Sequence, residues 1–196
     1  MKIRTICLAL LAAFSCTAAK AQKVTVFGGK IAAIKDIDTF NCVFDYSRLN
    51  VGDMGREANY VKKKRADAEK RSLGSANAWE ESWYKDRHDY YEPKFLAEFT
   101  KQSEKAAGAY PGAHYQLVFK SKLIEPGGTV TKRTPRLDAE VWIVEASAPT
   151  KALVKFRIDD APGNGAIGDI PSGARIGEAY AKAGKELGAL ILKETK

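Results

Sequence analysis

Apolar and polar residues alternate along four segments of the chain, and this period of two predicts four β-strands. The first strand covers residues 38–47. The other three cover residues 114–124, 136–147 and 151–159, with short turn-rich links between them. Consecutive strands joined by short links are typical of an antiparallel meander that buries one face. Residues 24–34, which contain a Gly-Gly break, fit an additional edge strand.

Two segments with helical periodicity lie between the first strand and the meander. Residues 56–71 are highly charged, and only three of them can face a core: Tyr60, Val61 and Ala68. Residues 76–107 carry an aromatic stripe at steps of three, four and seven, with a slip near Pro93. The stripe consists of Trp79, Trp83, Tyr90, Phe95 and Phe99. Because proline is tolerated in the first turn of a helix, Pro93 predicts the start of a second helix here.

The chain ends in a third helical region over residues 174–193, which follows a Pro/Gly-rich loop at 160–173. Its apolar stripe consists of Ile176, Tyr180, Ala183, Leu187 and Ile191. A line of small residues runs beside that stripe: Gly177, Ala181, Gly184 and Gly188. Glycine costs about 1 kcal/mol relative to alanine inside a helix, so these glycines need a packing reason. We expect them to lie against the sheet, and a self-association face is the alternative.

The predicted order of elements is β-α-α-β-β-β-α, which indicates an α/β protein. A helical crossover after the first strand returns the chain parallel to a neighbouring strand, whereas the meander is antiparallel. The sequence therefore predicts a single mixed β-sheet with helices packed on it. Residues 22–196 are expected to form one α/β domain, with a helical insert at about 56–107.

The amino-terminal segment has the pattern of an export signal. Lys2 and Arg4 precede a short apolar run at residues 6–14, and Ala19-Lys20-Ala21 supplies a small-x-small cleavage site. We therefore expect residues 1–21 to be removed after Ala21, which leaves a periplasmic or secreted protein. Lipidation at Cys16 is the less favoured alternative, because the residues before it lack the usual lipoprotein arrangement.

Composition and charge exclude some classes of protein and of partner. The chain is 45% hydrophobic and 29% charged, which is typical of a globular protein. Removal of the signal takes away three basic residues and lowers the formal net charge from +8 to +5. This mild excess, together with export, argues against a nucleic-acid partner. No stretch is long and apolar enough to predict a transmembrane helix.

The sequence shows no clear motif for catalysis or for binding a cofactor or a metal. Cys42 would be the single cysteine of the mature chain, and its place on an apolar strand side favours a structural role. His88 and His114 lack metal-ligand spacing and are expected on the surface. The Gly-x-Gly-x-x-Gly pattern at 163–168 does not open directly into a helix, so it favours a loop over a nucleotide site. We expect no catalytic constellation, cofactor or metal.

Two surface clusters are candidates for binding. Among the aromatic residues of the helical insert, Tyr84 and Tyr91 lie off the apolar stripe, and we expect them to be exposed and able to stack on a sugar. The second cluster is a basic run, Lys62, Lys63, Lys64 and Arg65. A run of this kind is usually a solvated helix face, and docking to acidic polymers or lipid headgroups is the alternative.

Three segments of the second half carry a family pattern: LDAEVWIVEA at 137–146, ALVKFRI at 152–158 and RIGEAYAKAGKELGALI at 175–191. They resemble uncharacterised exported proteins of Gram-negative bacteria. The architecture is similar to the small α/β domains of the envelope proteins LpoB, CsgG and the TolB amino-terminal domain. The resemblance covers residues 114–193 and implies an envelope accessory protein that works by binding and assembly. No catalytic residues follow from it, and the absent lipoprotein motif departs from that group.

Three hypotheses for function remain open at this point. The first is a non-catalytic envelope protein that binds another envelope protein or polymer. The second is a glycan or small-ligand binding protein that uses exposed aromatic residues. The third is a hydrolase whose carboxylates come from separate elements, since acids adjacent in sequence usually point apart. We expect a monomer, or a weak homo-oligomer formed through the carboxy-terminal helix.

Overall fold

A computed structural model describes residues 22–128, 133–165 and 170–196 of the chain. The expected export signal, its cleavage site after Ala21 and the lipidation candidate Cys16 lie outside the described residues. Part of the Gly-x-Gly-x-x-Gly pattern, residues 166–168, also lies outside them.

The described strands form one mixed sheet of seven, in the spatial order β1-β7-β6-β5-β2-β4, with β3 paired to β5. Their bounds are β1 Lys23–Gly29, β2 Thr39–Asp45, β3 Asn50–Val51, β4 Ala106–Gly108, β5 Tyr115–Glu125, β6 Arg136–Glu145 and β7 Ala152–Pro162. Strands β5, β6 and β7 form the predicted antiparallel meander. Strand β2 runs parallel to β5, with Phe44 opposite Phe119. The predicted fold class, a single mixed sheet with helices packed on it, is confirmed.

Three of these strands lie where the sequence pattern was weakest. Strand β1 pairs with β7 at one edge of the sheet, as residues 24–34 predicted. Strands β3 and β4 were missed, because two or three residues are too few for a period of two to show. Residues 106 and 107, at the end of the predicted helical region 76–107, instead join Gly108 in β4, which runs parallel to β2 at the other edge.

In the described part of the chain, four α-helices accompany the sheet: α1 Glu57–Arg71, α2 Ala76–Asp86, α3 Glu92–Ser103 and α4 Ser172–Thr195. The three residues of α1 predicted to face a core, Tyr60, Val61 and Ala68, are the buried ones. Pro93 lies in the first turn of α3, as predicted. Within the described residues, no helix combines the length and the apolar character needed to cross a membrane.

The break in the helical spacing of the aromatic stripe near Pro93 is a turn of π-helix at Arg87–Tyr91, between α2 and α3. A π turn adds one residue to the helical repeat, so every later side chain rotates relative to the earlier face. The prediction that Tyr91 is exposed is therefore wrong. Its side chain is 1% exposed and stacks on Tyr180 with ring centroids 4.8 Å apart. Tyr84, which precedes the π turn, is exposed as predicted.

Helix α4 packs on the sheet and beside α3. Every member of its predicted apolar stripe is buried. The glycine line, however, faces α3 and not the sheet, which corrects the expected packing. A Cβ atom at Gly188 would lie 2.9 Å from the carbonyl oxygen of Phe99, and one at Gly184 would overlap the carbonyl oxygen of Phe95. Gly177, Gly184 and Gly188 are thus buried against α3 and the residues just before it, whereas Ala181 is half-buried.

Candidate binding groove

A groove of about 840 Å³ opens at the carboxyl end of β2. Ligands of open α/β sheets bind where parallel strands end and their crossover connections begin. The chain leaves parallel strand β2 here and reaches α1 through the two residues of β3. The volume lies within the range of small-molecule sites. The polar and aromatic lining comes from three parts of the chain: Phe44, Asp45, Tyr46 and Ser47 at the end of β2, Arg56 and Glu57 at the start of α1, and Tyr84 and Arg87 around the end of α2.

An ion pair forms the polar centre of this groove. The Arg87 guanidinium donates to both carboxylate oxygens of Glu57, at 2.6 and 2.7 Å. The indole Nε1 of Trp83 donates to the same carboxylate at 2.7 Å. The side chains of Arg87 and Glu57 are less than one-fifth exposed, so water competes little for these bonds. Their charges cancel, and the groove centre is therefore polar but nearly neutral.

Two tyrosine rings hold the Arg87 guanidinium in place. Its central carbon lies 4.1 Å from the ring centroid of Tyr46 and 4.9 Å from that of Tyr84. A planar guanidinium stacks well on aromatic faces. Arg87 thus joins the start of α1 to two aromatic side chains that come from distant parts of the chain.

A second set of hydrogen bonds connects Tyr46 to the residues around the start of α3. Its hydroxyl donates to Glu92 at 3.2 Å, and the other oxygen of Glu92 lies 2.9 Å from Nδ1 of His88. Burial raises the pKa of Tyr46 well above its usual range, so the phenol stays neutral and keeps its proton. His88 is a surface residue, as predicted, with a side chain that is 77% exposed. His114 is also exposed.

Of the two tyrosines predicted to bind a sugar, one lies in the groove and the other is buried. Tyr84 lines the groove and is 37% exposed, whereas Tyr91 is buried beneath α4 and cannot reach a ligand from solvent. Sequence reasoning missed Tyr46, Glu57 and Arg87. In the period of two, Tyr46 falls on the same strand side as the apolar Phe40, Cys42 and Phe44, so the sequence does not mark it as a binding residue. No local pattern pairs Glu57 with a residue thirty positions later.

The basic run in α1 is dispersed around the helix. Lys63 pairs with Asp67 at 2.6 Å, and the ammonium of Lys64 lies 5.5 Å from the ring centroid of Tyr60. Arg65 pairs with Glu80 and donates to Asn77 at 2.8 Å. Lys62 is exposed. Three of the four cations therefore have contacts within the chain, and the run does not form one continuous basic surface.

Cys42 is half-buried and packs against the core. Burial raises the pKa of its thiol to about 12. Because the thiolate is the reactive form, the thiol is unreactive at neutral pH. This environment supports the structural role that the sequence indicated.

Acidic side chains with raised pKa values occur at two separate places. Burial, with a smaller contribution from Asp89, raises the pKa of Asp86 to about 6, and its carboxyl group packs against Gly173 of α4. Burial also raises the pKa of Asp138, whose carboxylate accepts the backbone N–H of Asp160 at 2.8 Å. Asp160 has φ +56° and lies where the register between β6 and β7 shifts, so this hydrogen bond stabilises a β-bulge in β7. The two acids thus contact different parts of the chain.

Tyr91 provides a test of the core beneath the groove. Its hydroxyl is buried and has no hydrogen-bond partner among the described residues. A buried polar group without a partner destabilises the folded state, so we expect Tyr91→Phe to raise the free energy of unfolding by about 1 kcal/mol.

Chemical denaturation with Tyr180→Phe as the control checks this expectation. The Tyr180 hydroxyl lies 2.7 Å from the hydroxyl of Ser121, so its removal should lower stability by about 1 kcal/mol. A loss of stability in Tyr91→Phe would contradict the assignment of its hydroxyl as unpartnered.

Fold and groove together define an α/β domain whose mixed sheet carries a polar, aromatic-lined groove at the end of a parallel strand. No family model matches the chain, and no curated protein matches it in sequence. Among solved structures it is similar to the PelC dodecamer from Paraburkholderia phytofirmans. That match has 11% identity and a TM-score of 0.43, and it covers 83% of this chain and 96% of that one. A variant of the same PelC matches with 12% identity and a TM-score of 0.38, over 89% and 97% of the two chains.

Proposed function

We propose that the protein is an exported, non-catalytic binding protein of the cell envelope, and that it holds a neutral glycan in the groove beside Tyr84. The export pattern of residues 1–21 and the resemblance to envelope α/β domains support the first part of this proposal. The observation that carries the second part is the exposed ring of Tyr84, held next to the Arg87–Glu57 ion pair.

The chemistry of the groove favours a neutral sugar over a charged ligand. An aromatic face provides a flat apolar surface for a sugar ring, and fixed donors and acceptors around it select hydroxyl groups. Arg87 and Glu57 already neutralise one another, so an anionic or cationic ligand would have to compete with the partner of either side chain. A neutral polyhydroxyl ligand can hydrogen-bond to both without breaking the ion pair.

Glycan-array screening followed by calorimetry tests this function. We expect the mature chain to bind a neutral oligosaccharide and Tyr84→Ala to weaken that binding by about tenfold or more, because truncation of a central aromatic contact costs at least about 1–2 kcal/mol. The melting temperature should fall only slightly, since Tyr84 lies on the surface and its removal costs one stacking contact with Arg87, about 0.5–1 kcal/mol.

Tyr110→Ala is the matched control, because Tyr110 is 44% exposed but does not line this groove. Equal binding by both variants and the unchanged chain would contradict the proposal. Hydrolysis of the bound glycan would contradict its non-catalytic part and favour the hydrolase hypothesis.

A further inference from the structure

Helices α1 and α2 form a hairpin whose tip carries an unusual apolar side chain. Leu73, in the turn between the two helices, is 93% exposed. The other large exposed apolar residues of the described chain are 37–44% exposed. Single apolar residues at the surface are normal, and Leu73 differs from the others in how completely it is exposed.

The tip is well ordered, so this exposure is not the result of a loose turn. The Glu69 carboxylate accepts the backbone N–H groups of Gly74 and Ala76, at 2.8 and 3.2 Å. The hydroxyl of Ser75 donates to the carbonyl oxygen of Ala68 at 2.8 Å.

Aromatic packing braces the rest of the hairpin. Tyr60 of α1 packs against Trp83 and Trp79 of α2, with ring centroids 4.9 and 6.0 Å apart. These contacts join the two helices that flank Leu73.

Two basic residues lie next to this tip, and each acidic side chain of α1 already has a partner within the chain. Lys70 and Arg71 precede Leu73 in the last turn of α1, and both are exposed. The three acidic side chains of α1 have partners within the chain: Glu57 with Arg87, Asp67 with Lys63, and Glu69 with backbone N–H groups. Arg71 also donates its Nε to the carbonyl oxygen of Asp67 at 3.3 Å, and Lys70 is attracted by the Asp67 carboxylate. The tip thus combines one projecting apolar side chain with two exposed cations, Lys70 and Arg71.

We infer that the tip of the α1–α2 hairpin docks on an anionic lipid surface, with Leu73 in the headgroup layer and Lys70 and Arg71 against lipid phosphates. Apolar side chains flanked by basic residues are the chemistry by which peripheral proteins bind anionic bilayers. A soluble acidic polymer could pair with Lys70 and Arg71, but it offers no apolar layer in which Leu73 could be buried. The exposed leucine therefore favours a lipid surface over a soluble polymer. The docking surface is separate from the groove, so a bound protein could still take up its ligand.

Cosedimentation of the mature chain with vesicles tests this inference. We expect binding to vesicles that contain phosphatidylglycerol, little binding to vesicles of phosphatidylcholine alone, and loss of binding at high salt. Lys70→Gln/Arg71→Gln should weaken binding by about tenfold or more, since each basic residue near an anionic surface contributes roughly fivefold. Leu73→Ser should weaken it as well, and Leu73→Trp should restore it, because tryptophan favours the interface.

Matched controls separate the tip from general charge and apolarity. Lys182→Gln/Lys185→Gln removes the same charge from the exposed face of α4, and Ile170→Ser removes an apolar side chain elsewhere. Both should bind vesicles as the unchanged chain does, and so should Tyr84→Ala, which tests the groove alone.

Three results would overturn the inference: no binding to anionic vesicles at low salt, equal loss in the α4 control, or unchanged binding in Leu73→Ser. Binding to a soluble acidic polymer that does not depend on Leu73, without binding to vesicles, would assign the tip to a polymer instead.

Discussion

Replacement of Phe156 by alanine is expected to lower the free energy of unfolding by about 3–5 kcal/mol, the usual range for emptying a buried aromatic site. Phe156 is fully buried and lies in β7 between Val26 of β1 and Val141 of β6. These neighbours belong to the two strands that flank β7 in a continuous sheet, so they cannot collapse far into the cavity. For a chain of this length the melting temperature should fall by roughly 10 °C.

The adjacent residue Arg157 is the control for this prediction. It lies on the opposite face of β7 and is exposed, so Arg157→Ala should change stability by less than about 1 kcal/mol. Urea denaturation of both variants measures the difference. A loss below roughly 1 kcal/mol in Phe156→Ala would mean that the two faces of β7 are reversed.

Alanine at Gly184 or Gly188 is expected to destabilise the protein by about 1–3 kcal/mol, in spite of the better helix propensity of alanine. The reason is the close approach of α4 to α3. At Gly188 the added Cβ would lie 2.9 Å from both the carbonyl oxygen of Phe99 and the Cβ of Gln102. At Gly184 it would overlap the carbonyl oxygen of Phe95, and backbone cannot move aside as a flexible side chain does. The two helices must therefore separate, which loosens the contacts of both with the sheet.

Gly112→Ala is the control for the glycine variants, because a Cβ at that position meets no atom within 4 Å. Its melting temperature should stay close to that of the unchanged chain. If Gly184→Ala and Gly188→Ala instead raise the melting temperature, α3 and α4 do not approach one another as closely as the structure shows.

The groove shows why binding residues were harder to predict than strands. Tyr84 lies before the π turn, where the helical period of α2 still holds, and its exposure followed from that period. Tyr91 lies at the end of the turn, and the one extra residue there reverses its environment. Glu57 and Arg87 become neighbours only because α1 and α2 fold back on one another.

The sequence by itself determined the elements whose apolar period is long. These are the three strands of the meander, the buried positions of α1, the apolar stripe of α4 and the parallel return of β2 to β5. A sustained period reports which face of an element is buried, and the connection lengths then restrict how the elements join.

Only the tertiary structure decided which surfaces meet. It placed the glycine line of α4 against α3, because the apolar stripe already fills the space above the sheet. It paired β4 and β3 with strands distant in sequence, and it joined Tyr46, Glu57, Tyr84 and Arg87 into one groove. Such contacts depend on side-chain volume and backbone approach between separate elements, and a periodic pattern within one element carries no information about them.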